Sequence, residues 1–216
     1  MEIIERNIPS KIIYRDRTEK ASFIVEQFGQ YLLDPLIDIG CDKKRLSSYL
    51  PGGFNCLGLD ISPGADIICN LDQTSIPVRD KVFNTVLCSD VLEHLEQLHA
   101  GFAELFRIAR RYVIISLPNC WSDMKFLIRH SEPSSGKFYG LPLEAPEDRH
   151  RWFFNYIEAS NFLIHHPGAR HAAKTLTLYK YYGVRSASYY LARLILDQRK
   201  FDNLFVNTVW AVYELK

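Results

Sequence analysis

Short apolar runs separated by helical patterns dominate the first half of the chain. Runs of this length suit strands that are buried on both faces of a parallel sheet. The alternation of strands and helices predicts an α/β fold built from right-handed βαβ units. The predicted strands are LIDIG, NCLGLDI, ADIIC, FNTVLCS and RYVIISL, at 36–40, 55–61, 65–69, 83–89 and 111–117. The predicted helices of this half span 17–33, 43–50 and 91–109.

The second half begins with a stretch in which this pattern fails. Residues 119–150 carry several prolines and charges, and a connection of this length inside a domain is usually functional. We interpret it as a lid. The elements predicted beyond it are helices at 155–165 and 187–199 and strands at 176–182 and 203–215. We expect one domain over 1–216, with an N-terminal helical segment (1–35), a ligand-binding core (36–118), a lid or substrate insertion (119–154) and the rest of the sheet (155–216).

Composition excludes several classes of protein. Hydrophobic residues make up 47%, charged residues 24%, and the net charge is +1, so no overall field favours nucleic acid or an anionic membrane. No apolar stretch approaches the roughly 18 residues of a membrane span, and the N-terminus does not resemble a secretory signal. The five cysteines include no CxxC pair. We expect reduced core cysteines and a cytoplasmic location.

Four acids follow successive predicted strands. Asp38 lies in the first strand, Asp60 ends the second, and Asp72 and Asp90 follow the third and fourth. The carboxyl ends of parallel strands meet at one edge of the sheet, where ligands bind at the switch point. A carboxylate there can accept both hydroxyls of an adenosine ribose, and Gly40 allows close backbone approach. One such acid would be a loop residue or helix cap, but four in this order favour a nucleoside site.

Five segments of the chain resemble the class I S-adenosylmethionine-dependent methyltransferases, most closely the methyltransferase-11 type. The resemblance covers about 36–119, and S-D-V-L-E-H-L is its most specific part. It implies a Rossmann-like, mostly parallel seven-stranded sheet with helices on both faces and an antiparallel last strand (205–215). It also implies S-adenosyl-L-methionine as cofactor and S-adenosyl-L-homocysteine as product. The segments are DIGC (38–41), GLDIS (58–62), ADIICNLD (65–72), SIPVRDKVFNTVLCSDVLEHL (75–95) and RRYVIISLPN (110–119).

The resemblance also implies where the cofactor binds. The expected contacts are Asp38, Gly40 and Cys41 at the methionine end, Asp60 at the ribose, Ile61, Leu71 and Asp72 at the adenine, Ser89 on the floor, and Asp90 with His94 opening a helix beside the methyl group.

One departure from the family concerns its D-x-G-x-G-x-G loop, because Gly40 is followed by Cys41, Asp42 and Lys43. Since Asp tolerates left-handed backbone, we expect the loop to persist with Asp42, at reduced affinity or with a shifted cofactor.

Methyl transfer is an in-line displacement, so positioning dominates and a base helps when the acceptor loses a proton. His94 is the first candidate base, although a capping or packing role is equally open. His150 is the second, unless it is a solvated loop residue. We expect no metal, because HExxH is absent and His94 and His99 are five residues apart. The candidate substrate contacts are Asn119, Tyr139, Arg149, Arg151 and Trp152, with surface charges and helix anchoring as the alternative roles.

Three other functions are weighed against this one. A nicotinamide-dependent oxidoreductase would need the G-x-G-x-x-G turn, of which only Gly40 is present. A nucleic-acid methyltransferase would need a base-flipping motif after the fourth strand, where S-D-V-L-E-H-L stands instead. A methyltransferase-like scaffold that binds the cofactor weakly is the main alternative. We expect a small-molecule, glycan or lipid-intermediate acceptor and no nucleic acid.

Overall fold

The computed structural model describes residues 1–9, 12–130, 140, 143–146 and 148–216. Its strands form one eight-stranded sheet. They are β1 (Glu2–Asn7), β2 (Leu36–Ile39), β3 (Cys56–Asp60), β4 (Ile67–Ile68), β5 (Phe83–Ser89), β6 (Ala109–Pro118), β7 (Ala173–Tyr181) and β8 (Thr208–Leu215). Their spatial order is β1-β7-β8-β6-β5-β2-β3-β4.

The direction of the strands creates a switch point in the middle of the sheet. β2 to β6 pair in parallel, whereas β8 is antiparallel to both β6 and β7. From β2 the chain moves outward through β3 to β4 and then returns to place β5 on the other side of β2. The carboxyl ends of β2 and β5 therefore border the crevice in which open α/β sheets bind ligands.

Helices cover both faces of the sheet. One apolar cluster includes Phe102, Leu105 and Leu163, and the other includes Phe28, Ile114 and Trp210. The helices are α1 (Arg17–Phe28), α2 (Leu98–Ile108), α3 (Cys120–His130), α4 (Tyr156–His165), α5 (Pro167–Ala172), α6 (Ala187–Ile195) and α7 (Gln198–Phe205). No helix among these described residues is both long and apolar enough to cross a bilayer.

α1 is the helix that positions the ligand crevice. Asp16 caps it by accepting hydrogen bonds from the backbone N–H groups of Thr18 and Glu19. Its buried Phe28 packs against Trp210, with ring centroids 5.1 Å apart. The helix also contacts the 3₁₀ turn Arg45–Tyr49 that follows β2. This packing fixes the start of α1 beside the carboxyl ends of the central strands.

The predicted strands are confirmed, with the closing strand antiparallel, but the strand count of seven is wrong. The additional strand is β1, which pairs in parallel with β7 at the edge of the sheet. Its side chains are mostly exposed, so it lacks the apolar run that marked the others. The closing strand also begins at Thr208 rather than at 203 or 205, because α7 extends to Phe205.

Two predicted helices and one predicted irregular stretch need correction. The pattern at 91–109 gives a 3₁₀ turn, Leu92–His94, and only then α2, because the Glu93 and Leu95 carbonyls accept hydrogen bonds from residues 151 and 152 instead of from a helix. The pattern at 187–199 divides into α6 and α7 because Asp197 caps the second helix, accepting from the Lys200 N–H at 2.9 Å. The predicted irregular stretch after 119 begins with α3.

Candidate active site

A large cleft opens at the carboxyl ends of β2, β3 and β5. Its volume is about 1280 Å³, compared with roughly 300–1,000 Å³ for a site that holds one drug-sized ligand. Lys20 and Ile24 of α1 form part of one wall, and residues 148–151 form part of another. The cleft therefore has room for a nucleoside-sized ligand and a second molecule beside it.

The turn after β2 depends on Gly40. Its φ is +74°, and its N–H donates to the Leu59 carbonyl at 2.7 Å. A Cβ added at this position would lie 2.3 Å from Cγ2 of Val91. Both the left-handed backbone and the close approach of Val91 therefore require glycine here.

Asp42 occupies the place of a second glycine and keeps the loop closed. Its φ is +47°, and its N–H donates to Oδ2 of Asp60 at 2.9 Å. Its carboxylate pairs with Arg17 at 3.1 Å and with Arg45. Burial opposes ionisation, but the two guanidinium groups hold the pKa of Asp42 below its usual range. The prediction that Asp42 sustains the loop in a left-handed conformation is confirmed.

Asp60 is held in a fixed orientation at the end of β3. One carboxylate oxygen accepts from the Asp42 N–H, and the other accepts from the Ser62 N–H at 3.0 Å. Each oxygen retains a further lone pair, so the group can still accept two ligand hydroxyls. Ile61 beside it is 71% exposed at the edge of the cleft. An exposed apolar side chain next to an oriented carboxylate suits a ligand with a flat ring attached to a diol.

The predicted adenine side is assembled along the same wall. Ile61, Leu71 and Asp72 all line the cleft. Leu71 is buried, and Oδ1 of Asp72 accepts from the Gln97 N–H at 2.9 Å. Asp72 therefore ties this wall to the start of α2.

A lysine from α1 enters the cleft beside Asp90. The Lys20 ammonium contacts the Asp90 carboxylate and lies 5.1 Å from the ring centroid of Trp210. Ser116 donates to Oδ1 of Asp90 at 2.6 Å, and its hydroxyl lies 3.0 Å from that of Ser89. Burial acts to raise the pKa of Asp90, but Lys20 and Ser116 prevail and lower it. The floor of the cleft thus carries an ionised carboxylate.

Asp38 and Cys41 have different environments on the same floor. Asp38 is 9% exposed, and its burial, reinforced by Asp60, raises its pKa to about 7 despite the opposing charge of Lys20. The Cys41 thiol packs against β3, where a Cβ on Gly58 would lie 2.5 Å from its sulfur. Burial raises the pKa of Cys41 to about 11, so the thiol is neutral.

Two histidines and a buried glutamate meet at one end of the cleft. The His94 and His150 rings make an edge-to-face contact with centroids 4.7 Å apart. Nδ1 of His94 lies 2.6 Å from Oδ1 of Asp148, and its Nε2 lies 3.9 Å from Oε1 of Glu93. Glu93 is 1% exposed, and its burial, followed by the nearby Asp90, raises its pKa well above the usual range. The structure therefore brings both predicted base candidates together.

The predicted substrate contacts separate into three groups. Arg149 and Arg151 line the cleft. Asn119 and Trp152 do not: the Asn119 amide donates to the carbonyls of 203 and 206, and the Trp152 indole donates to the Leu95 carbonyl at 2.7 Å. Both are occupied by backbone groups that hold α3, α7 and the turn after β5 in place. Tyr139 lies outside the described residues.

Residues 13–159 match a family described as a methyltransferase domain. The chain belongs to this methyltransferase family. The match spans α1 and β2 to β6 and extends into α4. The residues that line the cleft but lie outside the match are between Tyr181 and Thr208. Comparison with curated proteins gives no match.

Solved structures with the same fold are also methyltransferases. A S-adenosylmethionine-dependent methyltransferase from Archaeoglobus fulgidus has 15% identity and a TM-score of 0.57, covering 94% of this chain and 96% of its own. A possible histamine N-methyltransferase from Thermotoga maritima has 14% identity and a TM-score of 0.56, covering 96% and 91%. The methyltransferase domain of bacterial CtHen1-C has 18% identity and a TM-score of 0.54, covering 92% and 97%. The prediction of a class I methyltransferase with S-adenosylmethionine as cofactor is confirmed at the level of family and fold.

Three cleft residues of this methyltransferase were not singled out from the sequence. Lys20 lies four residues before Ile24 and eight before Phe28, on the same face of α1. A charged residue on this apolar face could have indicated a role in the cleft. Glu93 lies inside S-D-V-L-E-H-L, directly before His94. Asp148 has no signal in the sequence, because only the return of the chain over the cleft brings it to His94.

Proposed function

We propose that this methyltransferase transfers the methyl group of S-adenosylmethionine to an acceptor bound in the same cleft. The observation that carries the proposal is the arrangement of Gly40, Asp60 and Ile61. A close backbone turn, an oriented carboxylate and an exposed apolar side chain suit the methionine, ribose and adenine parts of the cofactor in turn. Family membership supports the reaction type.

The reaction needs little covalent chemistry from the protein. A lone pair of the acceptor attacks the methyl carbon, the carbon–sulfur bond breaks, and S-adenosylhomocysteine leaves with the bonding electrons. A hydroxyl or amine acceptor also loses a proton. His94 and His150 are the candidates to receive it, because both line the cleft and the Asp148 carboxylate lies 2.6 Å from Nδ1 of His94. Most of the rate acceleration then comes from alignment of acceptor and methyl.

The acceptor we propose is a small molecule, or a glycan or lipid intermediate, that enters next to Arg149 and Arg151. Guanidinium groups bind carboxylates or phosphates bidentately, so an acceptor that carries such an anion fits this end of the cleft. The small net charge of +1 supports a small acceptor over a polynucleotide. The free state of all five cysteines supports the cytoplasm as its location.

A methyl-transfer assay with fractionated acceptors tests the proposal. The protein is incubated with S-adenosylmethionine carrying a tritiated methyl group and with separate aqueous-metabolite, lipid and RNA fractions. We expect label in the metabolite or lipid fraction, and none with an Asp60→Ala variant. Label in RNA alone would refute the acceptor class. Binding of the cofactor without transfer to any fraction would favour the scaffold alternative.

A further inference from the structure

The side chain of Glu93 is a buried carboxylate with no hydrogen-bond partner among the described residues. It is 1% exposed, and neither of its carboxylate oxygens has such a partner within the described part of the chain. A buried carboxylate is costly unless it is paired or coordinates a metal. The side chain nevertheless lines the cleft rather than the apolar core. Its two oxygens therefore have the capacity to accept a cation at this end of the cleft.

Two imidazoles complete a set of three donors around this position. Glu93, His94 and His150 each offer one ligand atom, and these atoms lie within 4.8 Å of one another. A central ion about 2.0–2.2 Å from each nitrogen or oxygen would hold two donors at most about 4.4 Å apart, so only a small inward movement would be needed to close the site around it. The set comes from two segments distant in sequence, the turn after β5 and the return of the chain at 148–151. Metal-site spacing in the sequence could therefore not have indicated it.

Asp148 is placed as a carboxylate that orients a metal-binding histidine would be. The Asp148 carboxylate lies 2.6 Å from Nδ1 of His94. A carboxylate at this distance favours a proton on Nδ1, and Nε2 is on the side of Glu93, whose Oε1 lies 3.9 Å away. The carboxylate–histidine pair and the buried glutamate are independent observations, and both point to the same position.

We propose that Glu93, His94 and His150 bind one divalent first-row transition-metal ion at the end of the cleft. Two imidazoles select this class over Mg²⁺ and Ca²⁺, which prefer oxygen ligands throughout. Three protein ligands leave further coordination positions open toward the cleft. The role of the ion in catalysis rests on the proposed function: an acceptor oxygen at an open position would have its pKa lowered and would lose its proton to solvent, with His94 and His150 acting as ligands instead of as the base. Binding of the ion itself does not depend on methyl transfer.

Titration of the chelator-treated protein with CoCl₂ tests the site. The visible d–d absorption of Co²⁺ reports both binding and the geometry of its ligands. We expect saturation at one ion per chain, and a rise in melting temperature with Co²⁺ concentration. Glu93→Gln and His150→Ala should each weaken binding by at least about 100-fold, and Asp148→Asn by about 10- to 100-fold.

His165→Ala is the matched control, because this histidine is exposed on α4 and does not line the cleft. It should bind Co²⁺ as the unaltered protein does. Melting of each variant without metal shows whether it is folded. Titration of the same metal-free samples with S-adenosylhomocysteine separates the two proposals, since cofactor binding should survive Glu93→Gln. Co²⁺ binding that is absent from the unaltered protein, or equal in the folded Glu93→Gln and His150→Ala variants, would overturn the metal site.

Discussion

Replacing Gly40 by alanine tests the turn on which the cofactor site is built. The structure gives two independent costs for the added methyl group. The backbone of Gly40 has a φ of +74°, and the left-handed conformation costs an L-residue roughly 1–2 kcal/mol. The new Cβ would also lie 2.3 Å from Cγ2 of Val91, and such overpacking typically costs about 1–3 kcal/mol. We expect a loss of about 2–5 kcal/mol in the free energy of unfolding.

For a chain of 216 residues, this loss corresponds to a fall of roughly 4–20 °C in the melting temperature. Urea denaturation gives the free energies, and a double-mutant cycle with Val91→Ala separates the two costs. When Val91 is already alanine, Gly40→Ala should cost about 1–3 kcal/mol less, because the clash with Cγ2 is gone. The cost of the left-handed backbone should remain.

Gly29→Ala provides the control for the general effect of removing a glycine. Gly29 has a φ of −52°, and no heavy atom lies within 4 Å of a Cβ built there. Alanine at such a site should leave the stability unchanged or raise it by about 0.4–1 kcal/mol. If Gly40→Ala were as stable as Gly29→Ala, the left-handed turn against Val91 would be wrong, and with it the proposed path of the cofactor.

Three further predictions concern charges and hydrogen bonds around the cleft. Lys20→Met should cost roughly 1–3 kcal/mol in urea denaturation, because the partly buried Asp90 loses its cation, whereas the exposed Lys43→Met should be neutral. Asp38→Asn should be more stable than the unaltered protein near pH 8. The pKa of Asp38 in the folded protein, about 7, exceeds its usual value, so ionisation of this carboxyl destabilises the fold at high pH. The stability gained by the variant, up to about 4 kcal/mol, should therefore shrink as the pH falls from 7 to 4. A difference in stability that stayed constant with pH would contradict the raised pKa. Asn119→Ala should lose roughly 2 kcal/mol of stability, because two backbone carbonyls lose their donor. Its binding of S-adenosylhomocysteine, measured by calorimetry, should stay unchanged, since Asn119 does not line the cleft. Weaker binding would show that Asn119 contributes to the ligand site.

The central strands could be predicted because each was a short apolar run bounded by glycine, proline or polar residues. β1 was missed because its contribution to the sheet is made by its backbone, while its side chains face solvent. Backbone hydrogen bonds to distant residues also explain why α2 begins later than expected. The backbone carbonyl of Glu93, in the expected first turns of the helix, accepts from residues 151 and 152. Partners that are distant in sequence decide such boundaries, and a local pattern does not record them.

The candidate site likewise combines residues whose roles follow from local sequence with residues that are placed by tertiary contacts. Asp60 and Gly40 were predictable because their roles follow from their position after a strand. The loop with Asp42 was predictable from the tolerance of aspartate for left-handed backbone, but its two arginine partners come from α1 and the following turn. Lys20 reaches the cleft only because α1 packs across the sheet. These contacts are tertiary, so residue type and spacing carried little information about them.

The most direct test of the central claim, that Asp60 anchors an adenosine ribose in this cleft, is calorimetric titration with S-adenosylhomocysteine. Two hydrogen bonds to a charged acceptor contribute about 1.5–3 kcal/mol each, so Asp60→Ala should weaken binding by at least about 100-fold. Asp66→Ala is the matched control, because this carboxylate binds the Gly58 N–H and Lys44 in the adjacent loop and does not line the cleft. It should bind almost as the unaltered protein does. Failure of the unaltered protein to bind at millimolar ligand, or equal binding by both variants, would contradict the account.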